Sequence, residues 1–214
     1  MRVRETLAAI YADAALYDSG EIARATEALD REKQLPSDSE LCYLFARARQ
    51  PVSDRLGNLI YVLVRSSNSR CVFEFGTSHG AGTICLAAAV RDNGGGCVVT
   101  TEFDVEKIAL AEANLGKAGL REFVEFRHGD ALQTVKQENR SFDFVFLDGW
   151  QHRYSAILTL IEPKLMRGSL IVADDIFPEL IPDYMSQVAG PEYTSVALDV
   201  GSKVVLSFRV GEAT

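Results

Sequence analysis

Apolar positions along the chain follow two rhythms, and the change comes near residue 70. In the first part they recur at helical spacing. Leu7, Ile10, Ala14 and Leu16 give an apolar face near the start. Pro36 interrupts the pattern, and Ser37 with Glu40 forms a capping box for a following helix. After a second break at Pro51, Leu56, Leu59, Ile60, Leu63 and Val64 recur at i, i+3, i+4, i+7 and i+8, an amphipathic helix. From residue 71 short apolar runs alternate with longer amphipathic segments. The runs are 71–75, 97–101, 123–126, 142–147 and 170–173, and they lack in/out alternation, as strands buried on both faces do. Helical segments are expected at 81–91, 104–118, 131–138 and 153–166. Two last strand-like runs, 193–198 and 203–210, are joined by Asp199-Val200-Gly201-Ser202 and read as a hairpin. The pattern predicts an α/β, doubly wound (Rossmann-like) sheet with an antiparallel C-terminal hairpin and a helical N-terminal segment. No repeat or linker divides it, so one domain is expected over 1–214, with helical residues 1–70 and an α/β core over 71–214.

Composition narrows the setting. The chain has 214 residues and a formal charge of −8, which disfavours a nucleic-acid surface. No apolar run is long enough to span a bilayer, and the charged start Met1-Arg2-Val3-Arg4-Glu5 does not read as a signal peptide. Cys42, Cys71, Cys85 and Cys97 contain no C-x-x-C pair, so structural zinc is not expected and a reducing cytoplasm is.

Chemistry in such a sheet collects beyond the carboxyl ends of the strands. The first strand leads into Glu74-Phe75-Gly76-Thr77-Ser78-His79-Gly80-Ala81-Gly82-Thr83, whose glycines permit a tight turn and close backbone approach to a ligand. Glu102 follows the second strand, twenty residues past Gly82, the spacing at which an acid meets ribose hydroxyls. Gly129-Asp130-Ala131 follows the third; Asp130 serves an adenine amino group, caps the next helix, or both. Asp148 follows the fourth strand, and Asp174 and Asp175 the fifth. Three carboxylates at neighbouring strand ends repel one another, and a hard divalent cation such as Mg²⁺ offsets that; caps and salt bridges are the plainer account.

With these residues in view, the chain resembles the catechol O-methyltransferase-like family of S-adenosylmethionine-dependent enzymes over about Gly57 to Phe208. The most specific stretches are Phe142–Tyr154 (FDFVFLDGWQHRY) and Gly168–Asp175 (GSLIVADD). The resemblance implies a class I methyltransferase sheet and a cofactor site of Glu74, Gly76, Thr77, Ser78, Gly80, Gly82, Thr83, Glu102, Phe103, Gly129, Asp130, Ala131, Asp148 and Trp150. It puts metal ligands at Asp148, Asp174 and Asp175. It implies methyl transfer to a hydroxyl of a small, aromatic acceptor; Asp148 and His152 are the candidate catalytic residues. Two positions depart from the family: Asp175 stands where Asn is usual, and Gln151 where catechol-type members carry a Lys base. His152 is the candidate base instead, since imidazole is the side chain suited to proton transfer at neutral pH. A homodimer through the N-terminal helices is a further expectation. The rival readings are a serine hydrolase using Ser78 of Gly76-Thr-Ser78-His-Gly80, a nicotinamide-dependent oxidoreductase, and a non-catalytic cofactor-binding module.

Overall fold

A computed structural model describes residues 2–30 and 36–210. The N-terminal part is helical: α1 (Arg2–Asp30), α2 (Asp38–Leu44) and α3 (Asp54–Ser66). The capping box is present. The Ser37 amide donates to Glu40 Oε2 at 2.7 Å, and the Glu40 amide to the Ser37 hydroxyl at 3.3 Å. Ser53 caps α3, two residues past Pro51. Leu56, Ile60 and Val64 of α3 are fully buried. Each such side chain contributes about 1.5–3 kcal/mol through area removed from water, so a charge at Ile60 would unseat the helix.

Beyond residue 70 the chain alternates β1 (Cys71–Phe75), α4 (Ala81–Asp92), β2 (Cys97–Glu102), α5 (Val105–Ala118), β3 (Val124–His128), α6 (Ala131–Gln137), β4 (Phe142–Leu147), α7 (Tyr154–Ile161) and β5 (Leu165–Ala173). Then come α8 (Pro182–Val188), β6 (Tyr193–Asp199) and β7 (Lys203–Arg209). The seven strands form one sheet in the order β3-β2-β1-β4-β5-β7-β6. The first five are parallel, and β7 joins β5 antiparallel to begin the hairpin. One face packs on α3 and α4, with Leu115 of α5. The other packs on α7 and α8, with Val135 of α6. The expected Rossmann-like class and hairpin are both observed.

Three boundaries differ from the pattern. Apolar positions marked only the start of α1, whereas the helix runs 29 residues because Ile10, Ala14 and Ala25 all find cover. Pro163 splits the expected 153–166 helix: α7 stops at Ile161 and a 3₁₀ turn covers Glu162–Lys164. β5 starts at Leu165, and the β4–β5 register shifts between Phe142 and Phe144. An irregularity of that kind leaves no periodic trace in the sequence.

Candidate active site

The parallel strands order the site by their carboxyl ends. β1 and β4 are adjacent at the point where strand order reverses, which opens a crevice there. On the β1–β3 side, Glu74 is fully buried. Its Oε2 accepts from the Thr83 hydroxyl at 2.6 Å, and Oε1 has no partner. Burial pushes its carboxyl up to about 8, against hydrogen bonds from threonine hydroxyls. After Phe75 the chain turns through Gly76 (φ 99°), Ser78 (φ 47°) and Gly80 (φ 85°) into α4. A Cβ on Gly76 would lie 2.3 Å from the Asp148 carbonyl oxygen, and one on Gly82 2.9 Å from Glu74 Oε1. The expected close approach at these two glycines is therefore made by the protein's own atoms. Thr77 and Thr100 share a hydroxyl–hydroxyl bond of 2.5 Å beneath the turn.

Glu102 ties the turn to β2. It accepts the Ser78 amide at 2.9 Å on one oxygen, and the Phe103 and Asp104 amides at 2.8 and 3.0 Å on the other. A carboxylate has about four lone-pair sites, so one remains on the oxygen bonded to Ser78. Phe103 is exposed beside it. Gly129 (φ 115°) donates to the Glu102 carbonyl at 2.9 Å, with open space where its side chain would be. Asp130 caps α6 through the Leu132 amide at 2.8 Å, with Ala131 as the first residue of the helix. A rigid carboxylate with spare acceptor capacity, beside an open glycine, fits the ribose and base of a nucleoside.

Ser78 does not have the partner of a hydrolytic nucleophile. Its hydroxyl donates to the Arg49 carbonyl at 2.6 Å, and among the described residues no histidine accepts from it. That bond draws the Arg49–Val52 turn over the loop. Asp18 of α1 holds the turn by accepting the Arg49 and Gln50 amides at 2.7 and 2.8 Å. Between this turn, the Thr77–His79 loop and Asp148 only about 10 Å³ of cavity remains. A nucleoside-sized ligand requires the turn to draw back. A hollow of about 370 Å³ lies elsewhere, between edge strand β3 and α6 near His128 and Asn139, where Arg127 and Glu138 pair.

The β4–β5 side is acidic and loosely satisfied. Burial raises the Asp148 carboxyl well above the carboxylate range, and Asp174, Glu74 and Asp175 push it further. No hydrogen bond reaches its carboxylate among the described residues. Asp174, also buried, sits at about 6: burial and the neighbouring Asp175 raise it, while the Ser202 hydroxyl, bonded to its Oδ1, lowers it. Asp175 takes a left-handed backbone (φ 53°), and burial raises its carboxyl. Uncompensated negative charge on all-oxygen donors fits a divalent cation by chemistry. Among the described residues, no three such side chains are gathered tightly enough to enclose one.

The N-terminal layer reaches this side too. Trp150 packs edge-on against Phe45, ring centroids 5.4 Å apart, in a cluster with Leu41 and Ala25. Asp38, the first residue of α2, binds His152 Nε2 at 3.0 Å and the Arg153 guanidinium at 2.8 Å. The resemblance implied no role for Asp18, Asp38, Phe45 or Ser202, and the first three lie before its span. The one signal nearby was the capping box, which announced the start of α2 but not its partner.

Comparison with known proteins matches this geometry. A family described as a methyltransferase domain matches residues 73–176, which hold the ends of β1, β2, β4 and β5. The chain is 31% identical over 129 residues to the catechol O-methyltransferase of Niastella koreensis, covering 58% of each protein. It is 33% identical over 129 residues to that of Mycobacterium tuberculosis, covering 60% of this chain and 58% of the other. The match thus spans under two thirds of these curated relatives. The Bacillus cereus O-methyltransferase solved in complex with SAH is 25% identical, with a TM-score of 0.69 over 86% of this chain and 97% of that one. By fold and by these matches, the chain is similar to S-adenosylmethionine-dependent O-methyltransferases and is catechol O-methyltransferase-like over its matched residues.

Proposed function

We propose that the protein transfers the methyl group of S-adenosylmethionine to a hydroxyl of a small aromatic acceptor. The observation that carries this is Glu102, fixed by three backbone amides opposite the Gly76–Gly80 turn, where a nucleoside's ribose would meet it. Bound S-adenosylmethionine supplies an electrophilic methyl group. The chain supplies the rest. Glu102 accepts from the ribose hydroxyls, and Gly129, Asp130 and Ala131 flank the base. The Thr77–Gly80 turn, Asp148 and Trp150 set the position of the methionine end. Aligning acceptor oxygen and methyl carbon contributes up to about 7–11 kcal/mol.

Asp148, Asp174 and Asp175, drawn closer together than they stand here, would hold a divalent cation, Mg²⁺ in the first instance, whose chemistry is to lower the pKa of a coordinated hydroxyl. His152 takes the hydroxyl proton, with Asp38 on its Nε2 orienting the ring and balancing the charge that results. Residues 1–214 act as one domain, with residues 1–70 as the cover of the 71–214 core. Among the described residues no helix is long and apolar enough to cross a membrane. A cytoplasmic setting is read from the four free thiols, and a homodimer from the exposed Leu16 and Tyr17 on α1.

Calorimetry is the test. S-adenosylhomocysteine should bind one-to-one, and Mg²⁺ added to that complex should give a further one-to-one heat that Asp174→Ala abolishes. Binding of NADH with none of S-adenosylhomocysteine would overturn the reading. A heat from the nucleoside but none from Mg²⁺ would remove the cation alone.

A further inference from the structure

The tip of the β6–β7 hairpin is fastened into the acidic side of the site at three points. The Ser202 hydroxyl bonds Asp174 Oδ1. The Ile176 amide donates to the Lys203 carbonyl at 2.8 Å. On the other flank, the Ser53 hydroxyl donates to the Val200 carbonyl at 3.2 Å. These bonds fix the backbone of Lys203 at the lip, beside the loop that follows Asp175. The Lys203 ammonium lies 5.4 Å from the centre of the Phe177 ring, a cation–π distance. Phe177 is 38% exposed, so solvent still reaches the pair. Asp199 faces Lys203 across the hairpin in register. Even so, among the described residues no carboxylate closes an ion pair with this ammonium. The lip therefore carries an unneutralised cation on an aromatic surface, while the floor carries Asp148, Asp174 and Asp175.

We propose that Lys203 and Phe177 form an anion subsite at the mouth, which selects aromatic acceptors carrying a carboxylate or similar acidic group away from the reacting hydroxyl. The inference rests on the O-methyltransferase reading and deepens it. An acceptor with a hydroxyl at one end and an anion at the other meets opposite charges at the two ends of the pocket. In the reversed pose its anion faces the acidic floor and is repelled. A neutral acceptor gains nothing from Lys203, so the subsite supplies discrimination and orientation together. The ring of the acceptor would extend the Phe177 surface on which the ammonium already rests.

The test compares two probes that differ only in charge, catechol and its ring carboxylate protocatechuate. Both are titrated into protein saturated with S-adenosylhomocysteine, and methyl transfer to each is followed separately. Wild type should bind the carboxylate about fivefold more tightly, the scale of one exposed charge pair. Lys203→Gln should collapse that ratio to about one, and Lys203→Arg should keep most of it. In turnover the ratio should change through KM and not through kcat. Equal affinities in wild type, a preference that survives in Lys203→Gln, or no binding of either probe would each overturn the subsite. A Lys203-dependent preference in binding, with no methyl transfer to either probe, would overturn the proposed activity and leave the subsite standing.

Discussion

The two halves of the crevice are built in opposite ways. On the β1–β3 side the acidic groups at the strand ends are held by nearby amides: Glu102 by three, with one acceptor site to spare, and Asp104 and Asp130 by the first turns of α5 and α6. On the β4–β5 side, burial raises the carboxyls of Asp148, Asp174 and Asp175, Asp175 adds to the shift of Asp174, both add to that of Asp148, and few donors offset them. The first half has its carboxylates fixed before any ligand arrives, although the Arg49–Val52 turn must still draw back. The second keeps charge in reserve, and in the family reading that is where the acceptor binds and reacts. A half that holds an invariant reactant gains from preorganisation. A half that drives chemistry gains from electrostatic groups unsatisfied until the reacting atoms come.

The sharpest way to break this comparison is Asp174→Ala. Methyl transfer should fall by about a thousandfold, the scale on which removing electrostatic machinery acts. The Kd for S-adenosylhomocysteine should stay within about threefold, because the Asp174 carboxylate bonds Ser202 of the hairpin and, among the described residues, none of the nucleoside side. A parallel loss of nucleoside affinity would mean the halves are one unit.

Glu74 is the exception within the first half, and pH exposes it. Its carboxyl moves from an ordinary 4.5 to about 8 in the fold. Between those values the unfolded chain has released the proton that the folded chain keeps. Folding stability therefore falls as pH rises through this window and levels off above it. Glu74→Gln removes that dependence. Its stability relative to wild type should improve by on the order of 3–4 kcal/mol from pH 4.5 to pH 8. Denaturant titrations at several pH values report the difference. Identical slopes in the two proteins would show that Glu74 is ionised in the fold.

Glu102→Ala comes next. It strands three amide donors of the turn at once, and each donor left unmet costs about 1–3 kcal/mol where water cannot replace the bond. Part of Glu102 is accessible, so a hundredfold loss of S-adenosylhomocysteine affinity, about 2.7 kcal/mol, is the expected calorimetric result. Affinity unchanged within a factor of three would remove Glu102 from the nucleoside site and leave it a structural tie.

The same division explains what could be read from the sequence. The β1–β3 half is made of contacts close in the chain. A glycine turn, an acid at a fixed interval and a cap two residues from its amide all leave local spacing behind, and the parallel strands announce themselves as unbroken apolar runs. The β4–β5 half is closed by residues far away. Asp38 meets His152 and Arg153 across more than a hundred positions, Phe45 meets Trp150, and Ser202 meets Asp174 from the hairpin. Capping boxes and apolar faces say that α2 exists, but no spacing says which strand end it will cover. The glycines were legible as turn residues. That Gly76 and Gly82 face protein atoms depends on where β4 and Glu74 come to lie, which is tertiary information.

His152 joins the two kinds of construction, and a smaller predicted effect concerns it. Its Nε2 lies 3.0 Å from Asp38, in the orientation a base takes when a carboxylate steadies its ring, yet the side chain is 49% exposed. A positioned base contributes about 10²–10⁴ when water is excluded. An exposed one is partly replaced by solvent and buffer, so His152→Gln should lower kcat by about tenfold. The acidic limb of the pH–rate profile should flatten with it, and added imidazole should restore part of the rate. Asp38→Asn should act in the same direction, because the ring loses the carboxylate that orients it. If His152→Gln instead leaves both rate and profile unchanged while loosening α2 in hydrogen exchange, the Asp38 pair is a strap. It would then contribute at most about 1 kcal/mol, as exposed ion pairs do, and the acceptor proton would have to leave by way of Asp148 or water.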